Sequence, residues 1–294
     1  MPSPSDLCNL IKICQGVSTE VPRWTQGTGG NISVKEEDAL WIKTSGVRLR
    51  DVSETYGISC INLASFLPEL NSLNRGDEAG YRSAVLNHAT KGYPSSETGL
   101  HAVLPGRWVI HLHSIGAIAM AHHYFADVRK LRSWLKFQKL KICVLNCVTP
   151  GLELTSQFVE TGGEAWIVRN HGVVLQSAED NPLAILNLWR QIEEDFCERW
   201  KLNLKSDNCF SPLKAYFPDG VVFQERIREV TEGSGENYRL KPQAFSLDRD
   251  ATELFQAIQI LHRECPHLEE IPVEMRPRGS FEGASYSNKT LDIK

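Results

Sequence analysis

The run Val109-Ile-His-Leu-His113 sets two imidazoles into an apolar, β-branched stretch, and any fold that contains it must give those rings partners. Side chains on a strand alternate between faces, so a His-x-His pair places both rings on one side of a sheet. Polar rings at the inner end of a buried strand are costly unless they are hydrogen-bonded or liganded. A third imidazole stands downstream in Asn170-His171-Gly172, a turn that feeds the apolar run Val173-Val-Leu175. Three protein ligands with one open position is the layout of a catalytic zinc site, whereas structural zinc sites are closed by four ligands and rich in cysteine. Nine histidines in 294 residues can produce His-x-His by chance, so the metal expectation rests on convergence of all three rings. His122 and His123 lie on a predicted helix without partner spacing and are set aside.

The surrounding pattern predicts an α/β domain. A helix over 4–15, capped by Ser3 or Ser5, precedes a glycine-rich turn and a hairpin of Ile32–Val34 with Ala39–Lys43 around Glu36-Glu-Asp38. Helical segments are predicted over 60–70 and 79–90, and another opens at Pro94-Ser-Ser-Glu-Thr98 and ends before Pro105-Gly106. After the His-x-His strand come a helix over 117–122, strands over 142–148 and 164–168 flanking a helix over 152–161, the strand after Gly172, and a long amphipathic helix over 182–202. Trp189, Ile192, Phe196 and Trp200 share one stripe of that helix, which reads as core or subunit interface. Alternating strands and helices joined by short turns imply an α/β domain with a single sheet covered by helices, and the hairpin near the start argues for a mixed or antiparallel sheet. Residues 1–204 form the predicted catalytic domain. Residues 205–294 read as a C-terminal extension of loops, two short strands and a helix over 248–264, with an extended tail from Pro272; nothing in that extension reads as chemistry.

Charge and cysteine usage narrow the function classes. Thirty-two basic and 36 acidic residues leave a net charge of −4, and no patch mixes basic and aromatic side chains, which argues against nucleic acid as a partner. The start, Met1-Pro-Ser-Pro-Ser-Asp6, lacks the basic and apolar regions of a signal peptide, and no apolar run reaches the roughly 18 residues of a membrane span, so the expected location is the cytoplasm, with no membrane partner. The eight cysteines form no Cys-x-x-Cys and mostly sit beside apolar residues, as reduced core thiols do.

Three polar clusters accompany the histidines: Gly27-Thr-Gly-Gly-Asn31, Thr44-Ser-Gly46 and Ser95-Ser-Glu97. Each combines glycine or small hydroxyl residues with free backbone N–H groups, which suits an anion such as phosphate. Turn chemistry alone would account for the first two, and an ordinary helix start for the third.

Taken in order, G-T-x-G-N, T/S-G, S-S-E, H-x-H and N-H-G, the clusters resemble the class II aldolase/adducin family over roughly residues 5–204. Fuculose- and rhamnulose-1-phosphate aldolases are among its members, and the resemblance implies a three-layer α/β/α fold around a central mixed, largely antiparallel sheet. The resemblance implies that His111, His113 and His171 bind one divalent metal per subunit, zinc first, with manganese, cobalt or iron(II) as alternatives. It makes Glu97 the catalytic acid/base, and Thr28, Asn31, Ser45, Gly46, Ser95 and Ser96 the residues that hold a substrate phosphate. The implied activity is a metal-dependent lyase that cleaves or forms a C–C bond in a small sugar phosphate through a metal-stabilised enediolate. A dehydratase, epimerase or decarboxylase on the same site is the alternative, and a non-catalytic adducin-like interaction module the second. The family's assembly implies a homotetramer with the site near a subunit interface. One departure stands out: the tyrosine that fuculose-phosphate aldolase carries about nineteen residues after the second histidine has no counterpart in Lys130-Leu-Arg-Ser-Trp134, and Tyr124 is its nearest substitute.

Overall fold

The computed structural model describes residues 2–180, 182–206, 209 and 211–272. The chain opens with α1 (Pro4–Val17), then β1 (Asn31–Glu36), β2 (Ala39–Lys43), β3 (Ile58–Asn62), α2 (Leu63–Ser72), α3 (Glu78–Asn87), β4 (Ala89–Lys91) and α4 (Thr98–Val103). The middle comprises β5 (Trp108–Leu112), α5 (Ile115–Ala126), α6 (Val128–Leu135), β6 (Ile142–Leu145), α7 (Leu152–Glu160), β7 (Ala165–Val168), β8 (Gly172–Ser177) and α8 (Leu183–Trp200). The remainder folds as α9 (Pro218–Val222), α10 (Gln224–Val230), the hairpin β9 (Thr231–Ser234) and β10 (Asn237–Leu240), α11 (Ala244–Leu247) and α12 (Arg249–Glu264). Eight strands make one sheet in the order β4-β3-β2-β1-β5-β8-β7-β6. Among the described residues only the β6–β7 pair of this sheet is parallel, so the sheet is mixed and largely antiparallel, as the family resemblance implies.

Alternation along the strands sorts the helices into two outer layers. Ile32, Val34, Ile58, Cys60, Ile110, Leu112, Ile167, Val173 and Leu175 face a core shared with α1, α5, α6, α8 and α12. Leu40, Ile61, Val109, Trp166, Val168 and Val174 point the other way, onto α2, α3, α4 and α7. Strands buried on both faces carry apolar residues at nearly every position, which is why β5, β7 and β8 read as continuous hydrophobic runs. The start of α1 follows its sequence signals: Pro4 opens the first turn and the Ser3 hydroxyl accepts from the Asp6 amide at 3.3 Å.

Several element boundaries differ from the sequence reading. Residues 60–62 are strand, not helix, because Ile58–Asn62 runs antiparallel to β2 before the Asn62 side chain caps α2 from the Ser65 amide. The predicted helix over 79–90 ends at Asn87 and is followed by a short edge strand, and the predicted helix from Pro94 begins only at Thr98. Helix α6 has no counterpart in the sequence reading. The predicted tail lies outside the described residues from Val273 onward.

The helix predicted over 248–264 is present as α12, and through it the region after residue 204 joins the main core. Leu254, Phe255, Ile258 and Leu261 of α12 are buried in the same core as α1 and α5. Phe255 is fully covered, and Phe255→Ala is expected to cost about 3–5 kcal/mol through lost burial and the cavity left behind. Denaturant unfolding should show that loss as an earlier single transition. Two separate transitions would mean that α12 folds apart from the sheet.

Candidate metal centre and anion cradle

The three histidines meet because β1, β5 and β8 are adjacent and end at the same level. Asn31 at the start of β1 lies opposite His111 on β5, and Leu112 lies opposite Val173 on β8. His111 shares the sheet face of Val109, His113 follows one residue beyond β5, and His171 sits in the turn that starts β8. That turn depends on its glycine: Gly172 has φ +143°, and a Cβ there would collide with the Leu112 carbonyl oxygen. Asn170 holds the left-handed conformation at φ +57°, and its amide nitrogen donates to the carbonyls of Tyr216 at 2.9 Å and Glu269 at 3.0 Å.

Glu97 completes the cluster. One ligand atom from each of Glu97, His111, His113 and His171 falls within 4.8 Å of the others, and all four residues are buried. Nε2 of His111 and of His171 are 3.2 Å apart, Glu97 Oε1 is 2.8 Å from His171 Nε2, and Glu97 Oε2 is 3.5 Å from His111 Nε2. Donors about 2.1 Å from a tetrahedral zinc ion stand roughly 3.4 Å apart, so these separations bracket what one ion requires. His111 donates through Nδ1 to the Val173 carbonyl at 3.0 Å, which turns its Nε2 lone pair inward. Both ring nitrogens of His113 are buried and, among the described residues, neither makes a hydrogen bond, so one can serve as a ligand atom. The residues present therefore fit a single divalent ion.

The local field agrees with that geometry. Burial opposes ionisation of Glu97, but the facing rings of His111 and His171 hold its carboxyl well below the usual carboxylate range. Burial pushes His111 down to about 3, leaving it neutral and able to donate a lone pair. His113 moves the other way: burial would lower it, and the carboxylate of Asp219 at 2.5 Å raises it.

The polar clusters form a continuous rim beside the histidines. Lys43 Nζ donates to the carbonyls of Thr28 and Val47, both at 2.8 Å, and so ties the first glycine-rich turn to the Ser45-Gly46 turn. The Ser45 amide donates to the Tyr93 carbonyl, and Thr44 bridges to Pro94, which brings in the Ser95-Ser96 segment. Asn31 Nδ2 donates to Glu97 Oε2 at 2.7 Å and to Ser95 Oγ at 3.3 Å. The Glu97 amide donates to Ser95 Oγ, and the Ser96 carbonyl accepts from the Tyr81 hydroxyl. Asn31 thus stands in direct contact with the Glu97 carboxylate.

Three residues of the site escaped the sequence reading. His101 on α4 donates from Nε2 to Asn31 Oδ1 and accepts at Nδ1 from Ser33, so it aims the Asn31 amide at Glu97. Lys43 is 3 % exposed and, among the described residues, its ammonium makes no ion pair. Burial lowers it to about 8. Asp219, from the region assigned no chemistry, touches His113. Lys43 alone carried a usable signal, as the charged end of the apolar strand Ala39-Leu-Trp-Ile-Lys43. Tyr124, the weak substitute for the missing tyrosine, lines a separate cavity of about 490 Å³ with Arg132, Lys136 and Lys139. None of the four cluster residues borders that cavity.

Fold and site together define a metalloenzyme-like α/β domain, and comparison with known proteins gives it a family. The model of the class II aldolase and adducin N-terminal domain matches residues 8–179. The chain belongs to that family. Among solved structures, the N-terminal class II aldolase domain of a conserved protein from Thermoplasma acidophilum is 21 % identical with a TM-score of 0.55, over 68 % of this chain and 96 % of that one. An L-fuculose 1-phosphate aldolase is 20 % identical, over 68 % of this chain and 89 % of its own, with a TM-score of 0.47. The L-fuculose-1-phosphate aldolase of Thermus thermophilus is 16 % identical, over 67 % and 93 %, with a TM-score of 0.48. A search of curated proteins finds no match. Among the described residues no helix is long and apolar enough to cross a membrane.

Proposed function

We propose that this chain is a metal-dependent lyase of aldolase type that cleaves or forms a C–C bond in a small phosphorylated sugar. The observation that carries the reading is the convergence of His111, His113, His171 and the Glu97 carboxylate beside a rim that holds a buried ammonium. The three histidines would hold a divalent ion, zinc first, which supplies Lewis-acid polarisation of a substrate carbonyl and its neighbouring hydroxyl. Glu97 accepts the proton released from a substrate hydroxyl and returns it to carbon, a role suited to a carboxylate kept ionised by its neighbours. Thr28, Asn31, Ser45, Gly46, Ser95 and Ser96 line the rim proposed to receive the phosphate, and Lys43 supplies its charge. The remainder of the reading, a cytoplasmic homotetramer with its site near a subunit interface, follows the family's sugar-phosphate aldolases.

Lys43 is the sharpest support for an anionic substrate. Among the described residues the buried ammonium hydrogen-bonds to two carbonyl oxygens and makes no ion pair, and an incoming phosphate would supply one. Lys43→Met is therefore expected to raise KM for a ketose phosphate by about 10- to 100-fold, the worth of one charge-assisted hydrogen bond, with a smaller change in kcat. Turnover of the unphosphorylated ketose should not change. An equal loss on both substrates would remove the phosphate from the proposal.

The broader test is elemental analysis of the purified protein together with a screen of ketose phosphates for aldehyde release. Loss of water, inversion at carbon or release of carbon dioxide in that screen would instead assign a dehydratase, epimerase or decarboxylase on the same site. Metal-free protein inert towards every substrate would favour the adducin-like module.

A further inference from the structure

We propose that Asp219 is a positioning residue for the metal ligand His113, so that the region beyond the family domain completes the metal centre. This inference rests on the metal-centre reading above. Asp219 Oδ2 lies 2.5 Å from His113 Nδ1. An imidazole whose Nδ1 lies against a carboxylate presents Nε2, and among the described residues neither buried ring nitrogen of His113 makes a hydrogen bond. The carboxylate of Asp219 is not one of the four donors that gather within 4.8 Å of one another, so it touches the His113 ring without joining that group. Carboxylate, imidazole and metal in line is an arrangement that fixes the tautomer and orientation of the ring and raises its basicity.

The contact is built into the fold. Phe217 is fully buried in the main core and Tyr216 nearly so, which anchors the chain immediately before Asp219. The Tyr216 carbonyl also holds Asn170, next to His171, so one short segment braces two of the three histidines. Gly29 leaves the space: a Cβ there would stand 2.5 Å from His113 Nδ1 and 2.7 Å from Asp219 Oδ2. Further along, the Gly27 amide donates to Glu253 of α12 at 2.9 Å, so the same region also grips the first glycine-rich turn. The family match ends at residue 179, well before Asp219.

The test measures metal and not turnover. Metal-free full-length protein is titrated with zinc against a chromophoric chelator, and the cobalt(II) form is examined by its visible d–d spectrum, for wild type, Asp219→Ala, Asp219→Asn and His113→Ala. Asp219→Ala is expected to bind zinc about 10- to 100-fold more weakly and to shift the cobalt spectrum, as loss of an outer-sphere carboxylate does elsewhere. Asp219→Asn keeps a side-chain oxygen against His113 Nδ1 and is expected to stay close to wild type in both readouts, with near-UV circular dichroism checking the fold. Wild-type affinity in Asp219→Ala, with His113→Ala impaired, overturns the role of Asp219 and leaves the metal centre standing. An asparagine variant as weak as the alanine variant also overturns positioning, since the carboxylate's charge and not its hold on the ring would then set the affinity. Undiminished zinc affinity in His113→Ala removes the metal-centre reading and the Asp219 role with it.

Discussion

His111→Ala is expected to leave a folded protein that no longer retains a stoichiometric metal ion and has lost its activity. His111 is the fully buried ring at the centre of the cluster, within 3.5 Å of both His171 Nε2 and Glu97 Oε2 and held from behind by the Val173 carbonyl. Deleting it removes a donor directly, so the affinity loss should exceed the roughly 10- to 100-fold typical of an outer-sphere partner. Metal content after dialysis against a weak chelator reads this, and an unchanged equivalent of metal would remove His111 from the ligand set. A pH arm separates binding from folding. In the metal-free protein burial lowers His111 to about 3, against roughly 6.5 for an unfolded histidine. Because the folded value is depressed, its contribution to stability is full above pH 6.5 and is lost as pH falls towards 3. Between pH 7 and 5 the loss amounts to about 2 kcal/mol from this residue. The opposite displacement of His113, whose pairing with Asp219 stabilises the protonated form, offsets part of that slope.

The metal-binding pattern was legible because its spacing is local. His-x-His on a strand fixes two rings on one side without knowledge of the rest of the fold, and Asn170-His171-Gly172 marks a turn that only glycine can make against β5. The sheet was legible for a related reason: β5, β7 and β8 are largely buried on both faces and leave apolar residues at nearly every position. What was missed depends on contacts between segments distant in sequence. Lys43 gains its meaning from two turns that close over it, and His101 from the amide of Asn31 across a helix–sheet interface. Asp219 is anchored by Phe217 in a region whose composition reads as loop, and nothing in Pro218-Asp-Gly220 distinguishes a positioning carboxylate from an ordinary turn. The misread start of β3 is a boundary effect. Five strand residues pass into α2 without an intervening loop, so helical periodicity downstream masks the alternation upstream.

Glu97→Gln is expected to retain the metal and lose about 10²–10⁴-fold in kcat with little change in KM, the usual contribution of a positioned general acid/base. The amide is nearly isosteric with the carboxylate, so one oxygen can still accept from Asn31 Nδ2, and the histidine trio is untouched. What disappears is the charge. The buried wild-type carboxyl is held well below the usual carboxylate range, with His171 Nε2 at 2.8 Å and Asn31 Nδ2 at 2.7 Å from its oxygens, so it enters the reaction as a base ready to accept a proton. Glutamine cannot take that proton, so solvent exchange of the carbon-bound hydrogen at the reacting centre, followed by NMR in deuterium oxide, should stop along with turnover. Loss of metal would instead identify Glu97 as an obligatory ligand, and the proton would then have to move through another group. Normal exchange with normal turnover would transfer the acid/base role away from Glu97 altogether. Asn31→Ala supplies the graded case. It removes the 2.7 Å hydrogen bond to Glu97 Oε2 while leaving the carboxylate in place, so kcat should fall less than in Glu97→Gln, and exchange should slow but persist.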